Sequence, residues 1–376
     1  MMSRNAVKIV FVTTNFGCGE NGPETYASYL WQNFLADPDV EFHVVAASFP
    51  DTHPRWHLVN TARSSFGLYL SLSCAAVRVA SQLNTAETIL HFNHCHYSLK
   101  ALKAGFRVFG QVNDYENAEL AKRWRFVLRS FGLRRALSLS IRRARERQFV
   151  RRQTLTICNS DYTRNAVLEA YQPTRAERVI TLHKAVDIAA YRRPQSVPID
   201  PIRRDPQTVR IVFVGGDFIR KGLDILLQAF SQLRLNAHLV VVGCTLQKVI
   251  ARFPNLAKFA CRSDIVFVGR LEKPQLREVL WNSDILAHPA RAEALGVAIL
   301  EAAAAGLQVV TTNVGGIPEL MCRLQCGAMI APEDSGALRL ALETAALNKG
   351  RCFSEEGLQY FSCEKMIRQV RRFYLS

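Results

Sequence analysis

At 376 residues, 49% of them apolar and 9% aromatic, the chain is too long for one ordinary core and long enough for two domains of the usual size. No stretch approaches about 20 uninterrupted apolar residues, and the opening MMSRNAVKIVFVTTNFGCGE has too short an apolar run for a signal peptide, so a globular cytoplasmic protein is expected. A formal charge of +16 favours anionic partners, and ten cysteines without a CxxC pair, the nearest being Cys322 and Cys326, point to reduced thiols.

Short apolar, β-branched runs recur at 7–13, 41–48, 88–93, 107–112, 155–160 and 178–186, separated by helical patterns such as TYASYLWQNFLA over 25–36. Unbroken apolar strands alternating with helices predict a parallel sheet covered on both faces, hence a doubly wound domain. A Pro- and Arg-rich stretch over 191–210 reads as a linker. The alternation restarts with strands at 210–216, 237–243, 264–269, 284–289 and 308–313, and helices at 222–233, 273–283 and 296–306. This predicts a second doubly wound domain, two such units facing a central cleft with ligands bound beyond the carboxyl ends of their strands. The domains are expected at 1–183 and 184–356, with a C-terminal helix over 357–376 packing back on the first; 355–376 reads as one or two helices.

Arginines interleave with Phe126, Leu128, Phe131, Leu133, Leu137, Leu139 and Ile141 across Arg123 to Arg152. That composition suits a helix on an anionic membrane surface, and equally the outer face of an ordinary helix whose apolar residues turn to the core.

Three places could carry chemistry. After the first strand, Gly17, Gly19 and Gly22 precede a helix, a spacing that lets backbone N–H groups approach a phosphate or sugar. The second strand ends VVAASFP without the carboxylate of a dinucleotide site, which argues against NAD. In the second half FVGGDFIRKG sets Arg220 and Lys221 just before a helix, where two cations can neutralise a diphosphate. Finally, EALGVAILE sets Glu293 in a strand-to-helix loop and Glu301 about a turn and a half into the helix beginning near Gly296. Buried carboxylates need partners, so this pair is expected to meet hydroxyls or cations in a crevice. HFNHCHYS, with His91, His94, Cys95 and His96, has zinc-ligand chemistry but is too crowded along one segment to make a four-ligand site by itself.

Taken together, the E-x7-E pair Glu293 and Glu301, the GGxPE turn of Gly315, Gly316, Pro318 and Glu319, and RKG ending at Gly222 resemble the retaining glycosyltransferases of family 4, with the two-domain GT-B fold of Rossmann-like units. ICNSDYTRNAVLEAY and KAVDIAAY follow the same pattern. The resemblance implies that Lys221 and Arg220 hold the donor diphosphate, Glu301 the ribose, and Glu293 with the amides of Ala294, Leu295 and Gly296 the transferred sugar. It also implies that the loop at Gly22 closes over the diphosphate and that the acceptor attacks the front face, retaining configuration. No cofactor or metal is expected, since Lys, Arg and helix N-termini neutralise charge; DPD at Asp37 to Asp39 is therefore a polar turn and no metal-binding DxD.

Departures from the family pattern are Gly216 where an arginine is usual, Asn113 with Asp114 where histidine and aspartate are usual, Ala290 for serine and Gln308 for proline. Asparagine still hydrogen-bonds a sugar hydroxyl but carries no charge. Acceptor contacts are expected from Asn113, Asp114, His94 and His96, and donor contacts include Gly216. The resemblance thus implies a hexosyltransferase using a nucleotide sugar, UDP-glucose first and GDP-mannose second, on a saccharide acceptor, and the basic, apolar segment 123–152 points to a lipid-linked one in polysaccharide assembly. It would work at the cytoplasmic membrane face, with no nucleic acid partner. The alternative is a noncatalytic, basic membrane- or nucleic-acid-binding protein on a decayed scaffold, against which Lys221 and both glutamates stand.

Overall fold

The structure, a computed structural model, describes residues 6–17, 22–59, 65–83, 87–95, 98–113, 124–196, 208–325, 327–348 and 353–376. It divides into two compact units, Met1–Lys184 with Met366–Ser376, and Ala185–Lys365.

The first unit carries strands β1 (Val7–Val12), β2 (Val40–Ala46), β3 (Trp56–Leu58), β4 (Thr88–Phe92), β5 (Arg107–Val112), β6 (Leu155–Cys158) and β7 (Val179–Thr181). They form one sheet in the order β3-β2-β1-β4-β5-β6-β7, and every pairing is parallel. The second unit carries β8 (Val209–Val214), β9 (Ala237–Val242), β10 (Ile265–Gly269), β11 (Ile285–His288), β12 (Gln308–Thr312) and β13 (Ala328–Ile330), in the order β10-β9-β8-β11-β12-β13. Both are doubly wound sheets whose order reverses between β1 and β4 and between β8 and β11, the switch points at which such sheets open a crevice.

The apolar runs are explained by burial on both faces. In β8, Ile211 and Phe213 enter one core cluster while Val212 enters another. Successive side chains point to opposite faces, so a strand with helices on both sides has no polar position to spare. Each such side chain contributes roughly 1.5–3 kcal/mol relative to exposure.

Helix starts are set locally: Ser160 accepts a hydrogen bond from the Thr163 amide at 3.0 Å, Asp334 from the Ala337 amide at 2.8 Å, and Glu272 with Gln275 forms a capping box. The edge strands β3 and β13 are each three residues long, too short to carry a periodic signal. The 178–186 run is strand only over Val179–Thr181, and the 191–210 stretch lies in part outside the described residues.

The segment 123–152 resolves into a single helix, Trp124–Arg152, with one buried face and one exposed face. Leu139, Glu146, Phe149 and Val150 are buried, Glu146 accepting from the Tyr171 hydroxyl at 2.7 Å. Leu133, Leu137 and Ile141 are exposed on the opposite side. No helix among the described residues is long and apolar enough to cross a membrane, and the described cysteines are free thiols.

Candidate active site

In the second unit, three neighbouring strands deliver the site. The loop after β8 carries Arg220 and Lys221 into the helix Leu223–Ser231. The loop after β11 carries Glu293 into the helix Val297–Ala305, and the turn after β12 leads through Gly315 into the helix Ile317–Leu324. Both chemistry-bearing loops therefore flank the switch point, as ligand loops of open sheets do.

The loops touch through their backbones. Gly222 has φ of +73°, and a Cβ there would lie 2.0 Å from the Pro289 carbonyl oxygen; a Cβ on Gly315, at φ of +58°, would lie 1.8 Å from that of Glu293. Only glycine permits these approaches. Gly316 N–H donates to the Glu293 carbonyl at 3.1 Å. Thr311 and Thr312, ending β12, donate their hydroxyls to the carbonyls of His288 at 2.9 Å and Ala290 at 2.6 Å.

Within this frame Lys221 Nζ is in direct contact with Glu293 Oε2. Arg220 Nη1 lies 3.6 Å and His288 Nε2 3.4 Å from the same oxygen. Burial pushes the Glu293 carboxyl up, but Lys221, His288 and Arg220 together hold it well below the usual carboxylate range. Burial draws the Lys221 ammonium down from its ordinary value, and Glu293 opposes that shift. His288 is pushed down to about 4 by burial and then by Lys221, which leaves a neutral imidazole at physiological pH. Its Nδ1 has no hydrogen-bond partner among the described residues.

Glu301 lies in the helix Val297–Ala305 and is buried, so neither a capping role nor a half-exposed helix accounts for it. Its Oε1 accepts from the Tyr191 hydroxyl at 2.8 Å and from Lys273 Nζ at 2.5 Å. Tyr191 is itself held by Trp281, whose Nε1 donates to the Tyr191 carbonyl at 2.7 Å. The structure thus brings Arg220, Lys221 and Glu293 together and gives Glu301 two partners of its own. Ala294, Leu295 and Gly296 are buried between Glu293 and the helix. Gly216 is exposed, with only the Gly243 carbonyl, at 3.8 Å, near a Cβ built on it, so the absence of an arginine there is not forced by crowding.

In the first unit, the residues that follow β1, β4, β5 and β6 form a hydrogen-bonded ladder along the carboxyl edge. Asn93 Nδ2 donates to Thr13 Oγ1 at 3.1 Å, Asn113 Nδ2 to the Asn93 carbonyl at 2.6 Å, and Asn159 Nδ2 to the Asn113 carbonyl at 2.8 Å. Asn113 and Asn159 keep buried Oδ1 atoms without partners among the described residues. Gly22 opens the helix Gly22–Phe34, while Gly19, His96 and Asp114 lie outside the described residues. His94 is pushed down to about 4 by burial and then by Lys184. His91 and Cys95 are consumed by packing: His91 meets the Phe11 ring edge-on at 5.1 Å, and Cys95 sits in the core with Phe149. Asp37 and Asp39 both pair with Arg371, the first at 2.8 Å.

Residues that sequence reasoning did not single out are His288, Lys273, Tyr191, Asn159 and Lys184. Tyr191 closes the quoted KAVDIAAY and His288 immediately precedes the glutamate loop, yet nothing local marks either; Tyr191 meets Glu301 110 positions away, and His288 meets Lys221 from another loop as well as Glu293.

Two doubly wound sheets, the second with a cationic loop and a carboxylate loop at its switch point, define the GT-B class of fold. Solved structures agree: a sucrose-phosphate synthase from Thermosynechococcus elongatus (TM-score 0.79, 16% identity, 99% of this chain and 98% of that one); HepE from Anabaena in complex with UDP and glucose (0.72, 18%, 98% and 99%); and WaaG, a glycosyltransferase involved in lipopolysaccharide biosynthesis (0.69, 20%, 96% and 95%). Residues 208–348 match the family described as glycosyl transferases group 1. In sequence the chain is similar to the lipopolysaccharide glucosyltransferase WaaG of Escherichia coli K12, 40% identical over 124 residues (31% of this chain). It is also similar to a glycogen synthase of Mycobacterium tuberculosis, 26% identical over 244 residues (61% of this chain). The matched segments span 32% and 56% of those relatives' own lengths.

Proposed function

We propose that this chain is a glycosyltransferase that moves a hexose from a nucleotide sugar to a saccharide acceptor with retention of configuration. The observation that carries the reading is the contact of Lys221 with Glu293, beside Arg220, at the switch point of the second sheet. A diphosphate entering there exchanges with Glu293 for the Lys221 ammonium, with Arg220 alongside. Glu293, so released, accepts hydroxyls of the sugar, and Glu301, whose Oε1 is held by Tyr191 and Lys273, offers Oε2 to the ribose.

The acceptor hydroxyl attacks the anomeric carbon from the face the diphosphate leaves. The new C–O bond forms as the glycosyl–phosphate bond breaks, and the hydroxyl proton passes to the departing phosphate oxygen. Lys221, Arg220 and the N-terminus of the helix Val297–Ala305 neutralise the charge that develops, so this reading requires no metal. Asn113 contributes acceptor contacts as an uncharged hydrogen-bonding group, and His94, which follows the neighbouring strand β4, is a second candidate contact.

UDP-glucose is the first donor to test and GDP-mannose the second; a HepE structure described as a complex with UDP and glucose supports that order. A lipid-linked saccharide at the cytoplasmic membrane face is the proposed acceptor. The exposed Leu133, Leu137 and Ile141 support it, next to a groove lined by Arg143, Arg147, Arg151 and Arg152.

The test is calorimetry and nucleotide release with UDP-, GDP- and ADP-sugars on the intact protein and on Lys221→Ala and Glu301→Ala. Tight binding of one sugar nucleotide that both variants lose supports the transferase. Binding of anionic lipid with no sugar nucleotide bound would overturn it in favour of a noncatalytic scaffold.

A further inference from the structure

Arg291 stands two positions before Glu293, yet its side chain turns away from the candidate site. Its Nη1 and Nη2 fork onto Asp224 Oδ1 at 2.8 Å and Oδ2 at 2.7 Å, in the first turn of the helix Leu223–Ser231. Nη1 also donates to the Ile219 carbonyl at 2.5 Å. Nε and Nη2 bond the carboxylate of Glu333, the latter at 3.0 Å. A guanidinium has five N–H donors, and these contacts use all of them, so none is left for a ligand.

The backbone repeats the connection. Arg291 N–H donates to the Arg220 carbonyl at 2.8 Å, and Arg220 Nη1 returns a bond to the Ala292 carbonyl at 2.8 Å. One residue thus ties the loop of Glu293 to the loop of Arg220 and Lys221 and to the turn after β13. Glu333 holds φ of +64°, a left-handed conformation uncommon outside glycine, while its carboxylate stays on Arg291.

We propose that Arg291, with Asp224 and Glu333, is a positioning residue that sets the spacing of Lys221 and Arg220 against Glu293 for diphosphate binding. The inference rests on the donor-site reading above. Lysine cannot substitute, because a point ammonium cannot span two carboxylates and a carbonyl in one plane.

The test compares the intact protein with Arg291→Met, Arg291→Lys and Glu333→Gln, the last a mild change at an exposed turn that keeps the fold if the arginine variants do not. Hydrogen exchange without ligand reads the clamp: the amides of Lys221, Gly222 and Arg291 should exchange at least tenfold faster in each variant, those of β8 and β11 unchanged. Calorimetry with UDP and uridine, and GDP and guanosine in parallel, reads the consequence. The diphosphate should bind at least tenfold more weakly while the nucleoside, which reaches Glu301 without using the cations, is unaffected. Equal loss for nucleoside and diphosphate, or faster exchange throughout the second unit, would mean a purely structural brace and overturn the proposal. If the unmodified protein binds no nucleoside diphosphate, the donor-site reading has failed, and exchange alone decides whether Arg291 holds the two loops.

Discussion

Tyr374 and His91, 283 positions apart in sequence, share a 2.6 Å hydrogen bond in the core of the first unit. His91 is fully buried and pushed down to about 3, by burial first and then by Lys184, so the Tyr374 hydroxyl meets a neutral imidazole. The closing stretch Met366–Ser376 is thereby stitched to β4, with the Phe34 ring 5.3 Å from that of Tyr374. Tyr374→Phe leaves a buried nitrogen without its partner and should cost about 1–3 kcal/mol, read as a lower urea midpoint with an unchanged slope. An unchanged midpoint would refute the assignment.

The buried pair Lys221 and Glu293 should couple in a double-mutant cycle. Removing one partner leaves an uncompensated buried charge, so Lys221→Met and Glu293→Gln should each destabilise the second unit. The double variant should lose less than their sum, with a coupling of about 1–3 kcal/mol in urea unfolding. Additive losses would show that the two charges are hydrated independently.

Tyr191 donates its hydroxyl to Glu301, the carboxylate proposed to hold the ribose. Tyr191→Phe removes one hydrogen bond to a charged group, about 1.5–3 kcal/mol, and should raise KM for the donor by roughly ten- to a hundredfold. Saturating kcat should hold steady, because the loss falls on binding common to ground and transition states. A fall in kcat at constant KM would contradict this.

Lys184 supplies a pH dependence. It is buried, its Nζ donates to Gln111 Oε1 at 3.3 Å and sits 4.3 Å from the Tyr26 ring centroid, and burial pushes it down from 10.5 to about 7. Between those values the unfolded chain binds the proton and the folded chain does not, so this group makes the fold more stable as pH rises from about 7 towards 10.5. Below pH 7 both states carry the charge and its burial is felt in full. Lys184→Met should therefore stabilise most below pH 7, the gain shrinking steadily up to pH 10; a gain that grows with pH would refute the sign.

Neutralising Arg142, Arg143, Arg145 and Arg147 in the helix Trp124–Arg152 should abolish any preference for anionic vesicles, at roughly 1 kcal/mol per arginine near the surface. Sedimentation with phosphatidylserine-containing and neutral liposomes checks it. No preference in the unmodified protein would remove the membrane surface from the proposed function.

Much of this could be read in the sequence alone. A parallel strand covered on both faces must be apolar along its length, so β1, β8 and their neighbours announced two doubly wound units. The loops before helices then marked Lys221, Arg220 and Glu293, since a strand-to-helix turn at a carboxyl edge is where backbone and charge can meet a ligand. Partnership was not legible. Lys221 and Glu293 are 72 positions apart, and Tyr191 and Glu301 are 110 apart. Strand order, which no local pattern encodes, decides that β11 lies beside β8 and so which cation neutralises which carboxylate. The same holds for Arg291: in sequence it is one more arginine among many, and only its placement between Asp224 and Glu333 turns it from surface charge into a clamp.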